Sequence, residues 1–166
     1  KELTGDQRPV VSFDFDGVLT FPIVVDYAKT LSRYGFRVII LTSRPHETMS
    51  QFQNNEDLYL VANQIGVPHR DIIFTNMNPK EDHLANSKVL FHLDDDYETI
   101  KQVNVVPGYT KGVRFTDDSF VVECDEILVS AIKLVPDFIL LDMIKNLSGD
   151  VSEIALLIRN KFNQRR

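Results

Sequence analysis

The sequence predicts an α/β domain with a doubly wound, mainly parallel sheet and helices on both of its faces. From Val10 onward, apolar runs of strand length alternate with stretches of helical spacing. The runs are apolar at consecutive positions, which is typical of parallel strands that are buried on both faces. The 166 residues, 43% hydrophobic and 25% charged, suit one compact domain with its own core.

The elements follow one another in regular order. Predicted strands cover residues 10–15, 36–41, 72–74, 89–93 and 113–115. Predicted helices cover residues 23–34, 47–65, 79–86 and 97–104. Gly35 ends the first helix, and Gly66 with Pro68 ends the second, since both residue types interrupt helices.

The last third of the chain is helical. Helices are predicted at 120–135, 137–147 and 151–162, separated by Pro136 and Gly149. Apolar residues of the first of these fall on one helical face. They are Phe120, Cys124, Ile127, Leu128, Ala131, Ile132 and Val135. We therefore divide the chain into a core at 1–118 and a C-terminal helical extension at 119–166 that packs on it as one domain.

Charge and cysteine content limit the function classes. The formal net charge of −6 disfavours general binding to nucleic acid or to anionic membranes. No apolar run has the length of a membrane span, and residues 1–4 show no signal-peptide pattern. Cys124 is the single cysteine, so no internal disulfide can form, and we expect a cytoplasmic, intracellular setting.

Polar groups follow the predicted strands at their carboxyl ends, where doubly wound sheets bind ligands. Several carboxylates at one edge repel each other, so a cation is expected there, and oxygen-rich sites select hard ions such as Mg²⁺. With the metal and a lysine in place, such a pocket could accept a phosphate dianion. The candidates are Asp14, Asp16 and Gly17 after the first strand, Thr42, Ser43 and Arg44 after the second, and Lys80, Asp94 and Asp95 around the fourth.

Four segments together resemble the motifs of the haloacid dehalogenase (HAD) superfamily. Asp14-Phe15-Asp16-Gly17-Val18-Leu19-Thr20 is similar to its first motif, which follows a hydrophobic strand. The apolar strand that ends at Thr42 resembles the second motif, Lys80 the third, and Asp94-Asp95 the acidic fourth. Order and spacing agree over residues 10–115, and the first motif is the most specific.

The resemblance implies a role for each catalytic candidate. Asp14 would attack phosphorus and form an aspartyl-phosphate. Asp16 would protonate the leaving oxygen and then activate water. Thr42 would hydrogen-bond the phosphoryl oxygens, and Lys80 would offset their charge. An acid at the Asp16 position favours phosphatase turnover over carbon–halogen cleavage, because a halide leaving group needs no proton.

The resemblance also implies a magnesium site. Asp14, Asp94 and the backbone carbonyl of Asp16 would hold Mg²⁺, and Asp95 would complete or orient the ligand shell. The family usually carries a Gly-Asp pair at the fourth motif. This chain has Asp94-Asp95-Asp96 instead, so the second acid on the metal side is open.

HAD proteins usually owe their substrate selectivity to a cap domain, which is inserted after the first motif or after the third strand. This sequence has no room for a cap domain at either point. The first motif leads almost directly into a helix, and residues 75–79 form only a short loop. Capless members have open sites, which suit a phosphorylated macromolecule or a phosphorylated small molecule that a neighbouring subunit encloses; a homo-oligomer is therefore one of the expected states. Gly17, Ser43 and Arg44 are candidates for substrate contacts, and Arg44 is equally well interpreted as a surface charge.

Several single residues also have simpler interpretations. Thr42 can cap the following turn, and Asp96 is expected to be the N-cap of the helix at 97–104. His92 lies inside the fourth strand and is expected to be a packed core histidine. Cys124 is expected to act as a small buried hydrophobe. Lys88 opens the fourth strand, so it should lie at the end opposite to the site.

We therefore expect a Mg²⁺-dependent phosphomonoesterase acting on a nucleotide, a polynucleotide 3′-phosphate or another phosphomonoester. A phosphotransferase, in which an acceptor other than water takes the phosphoryl group, is an alternative that the sequence does not separate. A non-catalytic module with the same fold, which binds a partner through its C-terminal helices, is the second class. A receiver domain is excluded, because its acceptor Asp would follow the third strand, where this chain has Thr75-Asn76.

Overall fold

The computed structural model describes residues 6–50 and 54–165. Within these residues, five parallel strands form one sheet with the order β3-β2-β1-β4-β5. The chain builds β1, β2 and β3 outward in one direction, then returns past β1 to add β4 and β5 on its other side. The doubly wound α/β fold is thereby confirmed. The strands are β1 (Val10–Phe13), β2 (Arg37–Thr42), β3 (Ile72–Phe74), β4 (Val89–Asp94) and β5 (Lys111–Arg114).

Seven α-helices lie in the described ranges, and capping explains two of their ends. The Gly35 N–H, with φ +106°, donates to carbonyls of the last turn of the first helix. Asp96 accepts the Thr99 N–H at 3.0 Å, which confirms the predicted N-cap. The helices are α1 (Pro22–Tyr34), α2 (Glu56–Ile65), α3 (Glu81–Leu84), α4 (Tyr97–Val103), α5 (Phe120–Ala131), α6 (Asp137–Asn146) and α7 (Glu153–Arg165).

The predicted helix over residues 47–65 is wrong in its first half. Glu47–Met49 form a short 3₁₀ turn, residues 51–53 lie outside the described residues, and α2 begins only at Glu56. Polar side chains hold this segment in place, because the Asn55 amide donates to the Pro45 carbonyl at 3.2 Å and to Glu47 at 2.9 Å. These contacts connect it to the loop after β2 and override its helical spacing.

Other boundaries differ from the prediction by a few residues. β1 ends at Phe13, and β5 spans Lys111–Arg114, two residues earlier than its predicted start. The helix predicted at 79–86 is reduced to α3, and the one predicted at 120–135 changes to a 3₁₀ turn after Ala131. Strands and helices fray at their ends, where side-chain pattern is least informative.

The sheet is covered on both faces. One face packs against a large apolar cluster that joins strand residues such as Phe13 and Phe91 to Leu128, Met143 and Ile158 of α5, α6 and α7. The C-terminal helices therefore share the core of the sheet. Cys124 is fully buried in this cluster, as predicted. α3 and α4 cover the other face with a smaller cluster. No helix within the described residues is long and apolar enough to cross a membrane.

Candidate active site

Asp14 and Asp94 meet at the carboxyl edge of the sheet. β1 and β4 are parallel neighbours, and the Asp14 N–H donates to the Leu93 carbonyl at 2.9 Å. From β1 the chain continues to β2 on one side, and from β4 it continues to β5 on the other side. Open α/β sheets bind ligands at such a change of direction. Both aspartates are buried, with exposed fractions of 6% and 1%.

Lys80 lies between the two buried acids. Its Nζ donates at 2.7 Å to Asp14 Oδ1 and at 2.7 Å to Asp94 Oδ2. Lys80 directly precedes α3, which covers one face of the sheet, and this position brings the ammonium to the site. Burial alone would lower the pKa of Lys80, but the two carboxylates outweigh burial and raise it. The lysine is therefore held as a cation.

One lysine does not compensate the acids evenly. Burial raises the pKa of Asp14 to about 8, although the Lys80 charge opposes this, and the neighbouring Asp94 adds to the increase. Burial also opposes ionisation of Asp94, but His92 and Lys80 outweigh burial and hold its pKa well below its usual range. Within the described residues, Asp14 and Asp94 share the one ammonium of Lys80, and a further cation would stabilise the ionised form of Asp14.

Three carboxylates lie close enough together to share a metal ion. Asp14, Asp94 and Asp95 each offer one oxygen, and these oxygens lie within 4.8 Å of one another. Burial and the Asp94 charge raise the pKa of Asp95, which again indicates a shortage of cations. An all-oxygen, anionic donor set fits Mg²⁺. The Asp16 carboxylate does not belong to this group, so only its backbone carbonyl remains as the predicted ligand.

Gly17 makes room for Asp95. It sits in the turn Phe15–Leu19 with φ +76°, where glycine is favoured. A Cβ at this position would lie 2.4 Å from Asp95 Oδ2, closer than any real contact. The structure thus gives Gly17 a packing role beside the acidic cluster, while its predicted contact with substrate stays a prediction.

Arg44 forms a fork on Asp16. Its Nε and Nη2 donate to the two Asp16 carboxylate oxygens at 2.9 and 2.8 Å. Nη1 and Nη2 also reach Asp57 in the first turn of α2, at 2.8 and 2.9 Å, and the guanidinium lies 4.9 Å from the centre of the Phe15 ring. These hydrogen bonds raise the pKa of Arg44 further. Arg44 is therefore engaged with two carboxylates, and a direct contact with substrate would have to replace one of them.

Hydroxyl groups line the ends of β2 and β3. Thr42 is fully buried, and its Oγ1 accepts the Arg44 N–H at 3.2 Å, which is the turn-capping arrangement considered from the sequence. Ser43 is half-buried, and its carbonyl accepts the Met77 N–H at 2.8 Å. Thr75 Oγ1 is buried and lacks a hydrogen-bond partner within the described part of the chain. The Thr42 and Ser43 contacts with substrate stay predictions.

Two polar residues near this edge, Asp57 and Ser12, were not predicted from the sequence, and His92 was predicted only as a core residue. Asp57 lies far from Arg44 along the chain, and no local pattern indicates their pairing. Ser12 and His92 are fully buried and lie two residues before Asp14 and Asp94. Since side chains alternate along a strand, each must share a face with the acid that follows it. That spacing is the signal that could have found them. The prediction that His92 is buried is confirmed, but its partners are polar.

Comparisons with known proteins do not assign a family. No known protein family matches the chain, and no curated protein matches it. A crystal structure of an uncharacterized protein from Corynebacterium glutamicum is similar, with 16% identity and a TM-score of 0.40. That similarity covers 72% of this chain and 93% of the other, and it is too distant to carry a functional argument. The HAD resemblance therefore stays a prediction.

Proposed function

We propose that the chain is a Mg²⁺-dependent phosphohydrolase of the HAD type, with Asp14 as the nucleophile. The observation that carries this proposal is the buried arrangement in which Lys80 Nζ lies 2.7 Å from both Asp14 and Asp94. Within the described residues, Asp14 and Asp94 share Lys80, and Asp95 lies close to both, so a bound cation would stabilise the ionised acids and help the site to accept a phosphate dianion. When bound at Asp14, Asp94 and Asp95, Mg²⁺ would supply positive charge to a phosphate and hold it against the nucleophile.

Two hydrogen bonds distinguish Oδ1 of the Asp14 carboxylate from Oδ2. Oδ1 accepts hydrogen bonds from Lys80 and from the Phe15 N–H, at 2.7 and 2.8 Å. In our proposal, Oδ2 attacks phosphorus, an O–P bond forms, and the bond between phosphorus and the leaving oxygen breaks. Lys80 offsets the negative charge that gathers at this edge in the transition state.

Asp16 would carry the proton in both steps. It is exposed, at 58% of its side chain, while Asp14 is buried, so it can meet a leaving group that arrives from solvent. It would give its proton to the leaving oxygen as the first bond breaks. It would then take a proton from water, which attacks phosphorus and releases Asp14 and inorganic phosphate. The fork from Arg44 orients this carboxylate, and one of its two hydrogen bonds would have to open while that oxygen carries the proton.

The predicted substrate classes and cellular setting belong to the same proposal. A site without an inserted cap admits a phosphomonoester on a small molecule or on a macromolecule, and water or another acceptor can receive the phosphoryl group. The single cysteine is buried in α5, which supports an intracellular, reducing setting.

Hydrolysis of an aryl phosphate tests this function. Phosphate release should require Mg²⁺, stop with EDTA, and fall by at least about a hundredfold in Asp14→Asn. Asp26→Asn is the matched control, because Asp26 is an exposed aspartate on α1, and it should retain full activity. Wild-type activity in Asp14→Asn would rule out the covalent mechanism. If the wild type is silent on aryl phosphates, nucleotides, sugar phosphates and 3′-phosphorylated oligonucleotides serve as the wider screen.

One observation favours the binding module as the second candidate. Apolar side chains of α6 stay exposed, and Phe138 at 59% and Leu141 at 51% line the same surface groove. Such a patch is typical of a surface that contacts another protein. Failure of the whole substrate screen, in a chain that still binds Mg²⁺, would make this candidate the leading one.

A further inference from the structure

A fully buried polar pair lies directly beneath the acidic cluster. Ser12 on β1 and His92 on β4 are register partners across the two central strands, and both have an exposed fraction of 0%. Each lies two residues before an acid of the site, Asp14 or Asp94. The pair therefore shares the sheet face of those acids, one step further into the protein.

The two side chains form a hydrogen-bonded chain that ends on Asp94. Ser12 Oγ lies 2.8 Å from His92 Nδ1, and His92 Nε2 lies 2.8 Å from Asp94 Oδ2. An ionised carboxylate can only accept, so Nε2 carries the hydrogen. In the neutral ring, Nδ1 is then the acceptor, and the Ser12 hydroxyl donates to it. Ser12 thus selects the tautomer of His92 that can bind Asp94.

Asp94 is held by three donors. Oδ2 accepts from His92 and from Lys80, and Oδ1 accepts the Asp96 N–H at 3.1 Å. Lys80 also binds Asp14, and the Asp96 N–H belongs to the same turn of chain. His92 is the donor that reaches Asp94 from the interior of the sheet, so it holds Oδ2 against the strands.

We infer that Ser12 and His92 are positioning residues for the divalent-cation site, which orient Asp94 through the chain Ser12 Oγ–His92–Asp94 Oδ2. The inference rests on the magnesium site of the proposed function. Ligating carboxylates are themselves hydrogen-bonded in metal proteins, and loss of such a partner typically weakens metal binding by about 10- to 100-fold. A histidine that only packs in a core would affect stability and leave metal affinity unchanged.

Calorimetric titration of the whole chain with Mg²⁺, without phosphate, separates these roles. His92→Leu removes the donor and should weaken Mg²⁺ binding by about 10- to 100-fold. Ser12→Ala removes the hydroxyl that selects the His92 tautomer with hydrogen on Nε2. This variant should weaken Mg²⁺ binding less than His92→Leu does. His92→Gln places an amide N–H near the position of Nε2 and should recover most of the affinity. Thr110→Val is the matched control, because Thr110 Oγ1 is a buried donor at 2.6 Å to the Val89 carbonyl, at the opposite end of β4.

Thermal melting of every variant accompanies the titration. Thr110→Val should lower the melting temperature and keep the Mg²⁺ affinity of the wild type. Wild-type affinity in a folded His92→Leu variant would overturn the inference, and so would a wild-type chain that binds no Mg²⁺. If His92→Leu does not fold, the comparison of Ser12→Ala with Thr110→Val decides, and equal affinity in these two overturns it. Weakened Mg²⁺ binding in a chain that hydrolyses no phosphate ester supports the inference and refutes the proposed hydrolase.

Discussion

Lys80→Met tests whether one ammonium compensates the two buried acids. The substitution keeps most of the side-chain volume and removes the Nζ that lies 2.7 Å from both Asp14 and Asp94. Both carboxylates would then remain buried without their shared cation. Lys88→Met is the matched control, because Lys88 is an exposed lysine just before β4, at the other end of the sheet.

The size of the effect follows from burial. Removing one partner of a buried ion pair costs about 3–5 kcal/mol. Protonation relieves part of this cost, because burial already raises the pKa of Asp14 and the loss of Lys80 would raise it further. We therefore expect a loss of about 3 kcal/mol in the free energy of unfolding, or roughly 6–12 °C in melting temperature for a chain of this size. Lys88→Met should change the free energy by less than about 0.5 kcal/mol.

Urea unfolding at pH 7, with EDTA and then with Mg²⁺, measures both quantities. A metal that binds the folded chain should restore part of the lost stability, by about 2.7 kcal/mol when its concentration is a hundred times its dissociation constant. A loss below about 1 kcal/mol for Lys80→Met would refute the reasoning. It would mean that the carboxylates do not depend on Lys80 for compensation.

Three further outcomes are expected. Gly17→Ala should strain a residue at φ +76° and displace the Asp95 carboxylate. The Mg²⁺ affinity measured by calorimetry should therefore fall by about tenfold or more. An unchanged affinity would contradict the contact between residue 17 and Asp95. Burial raises the pKa of Asp125 from 3.8 to about 6, so the contribution of Asp125 to the free energy of unfolding should decrease as pH rises from about 4 to 6 and then level off. In urea unfolding measured at several pH values, Asp125→Asn should remove this pH dependence and stabilise the chain at pH 7 by about 1–2 kcal/mol. An unchanged pH dependence would mean that other groups cause it. Arg44→Lys cannot form the fork on Asp16. Hydrolysis of alkyl phosphates should therefore slow about tenfold, and hydrolysis of aryl phosphates with good leaving groups should slow less. Equal losses for the two substrate classes would argue against an acid role for Asp16.

The order of strands and helices was readable because buried parallel strands are continuously apolar and their ends carry polar residues. Asp14, Asp94 and the residues after β2 were placed at one edge for that reason, and the structure brings Asp14, Lys80, Asp94 and Asp95 together there. The start of α2 was not readable, because contacts of Asn55 with a distant loop outweigh helical spacing.

Tertiary structure alone decided how the polar groups pair. The strand pattern specifies which face a side chain takes, but not which side chain of another element reaches it. Asp57 meets Arg44 only because α2 packs beside the loop after β2. Ser12 meets His92 only because β1 and β4, distant in the chain, are adjacent in the sheet with these two residues in register. Sequence therefore determined the chemistry available at the edge of the sheet. Packing determined which donor holds which carboxylate, because hydrogen bonds depend on distances between elements that no local pattern encodes.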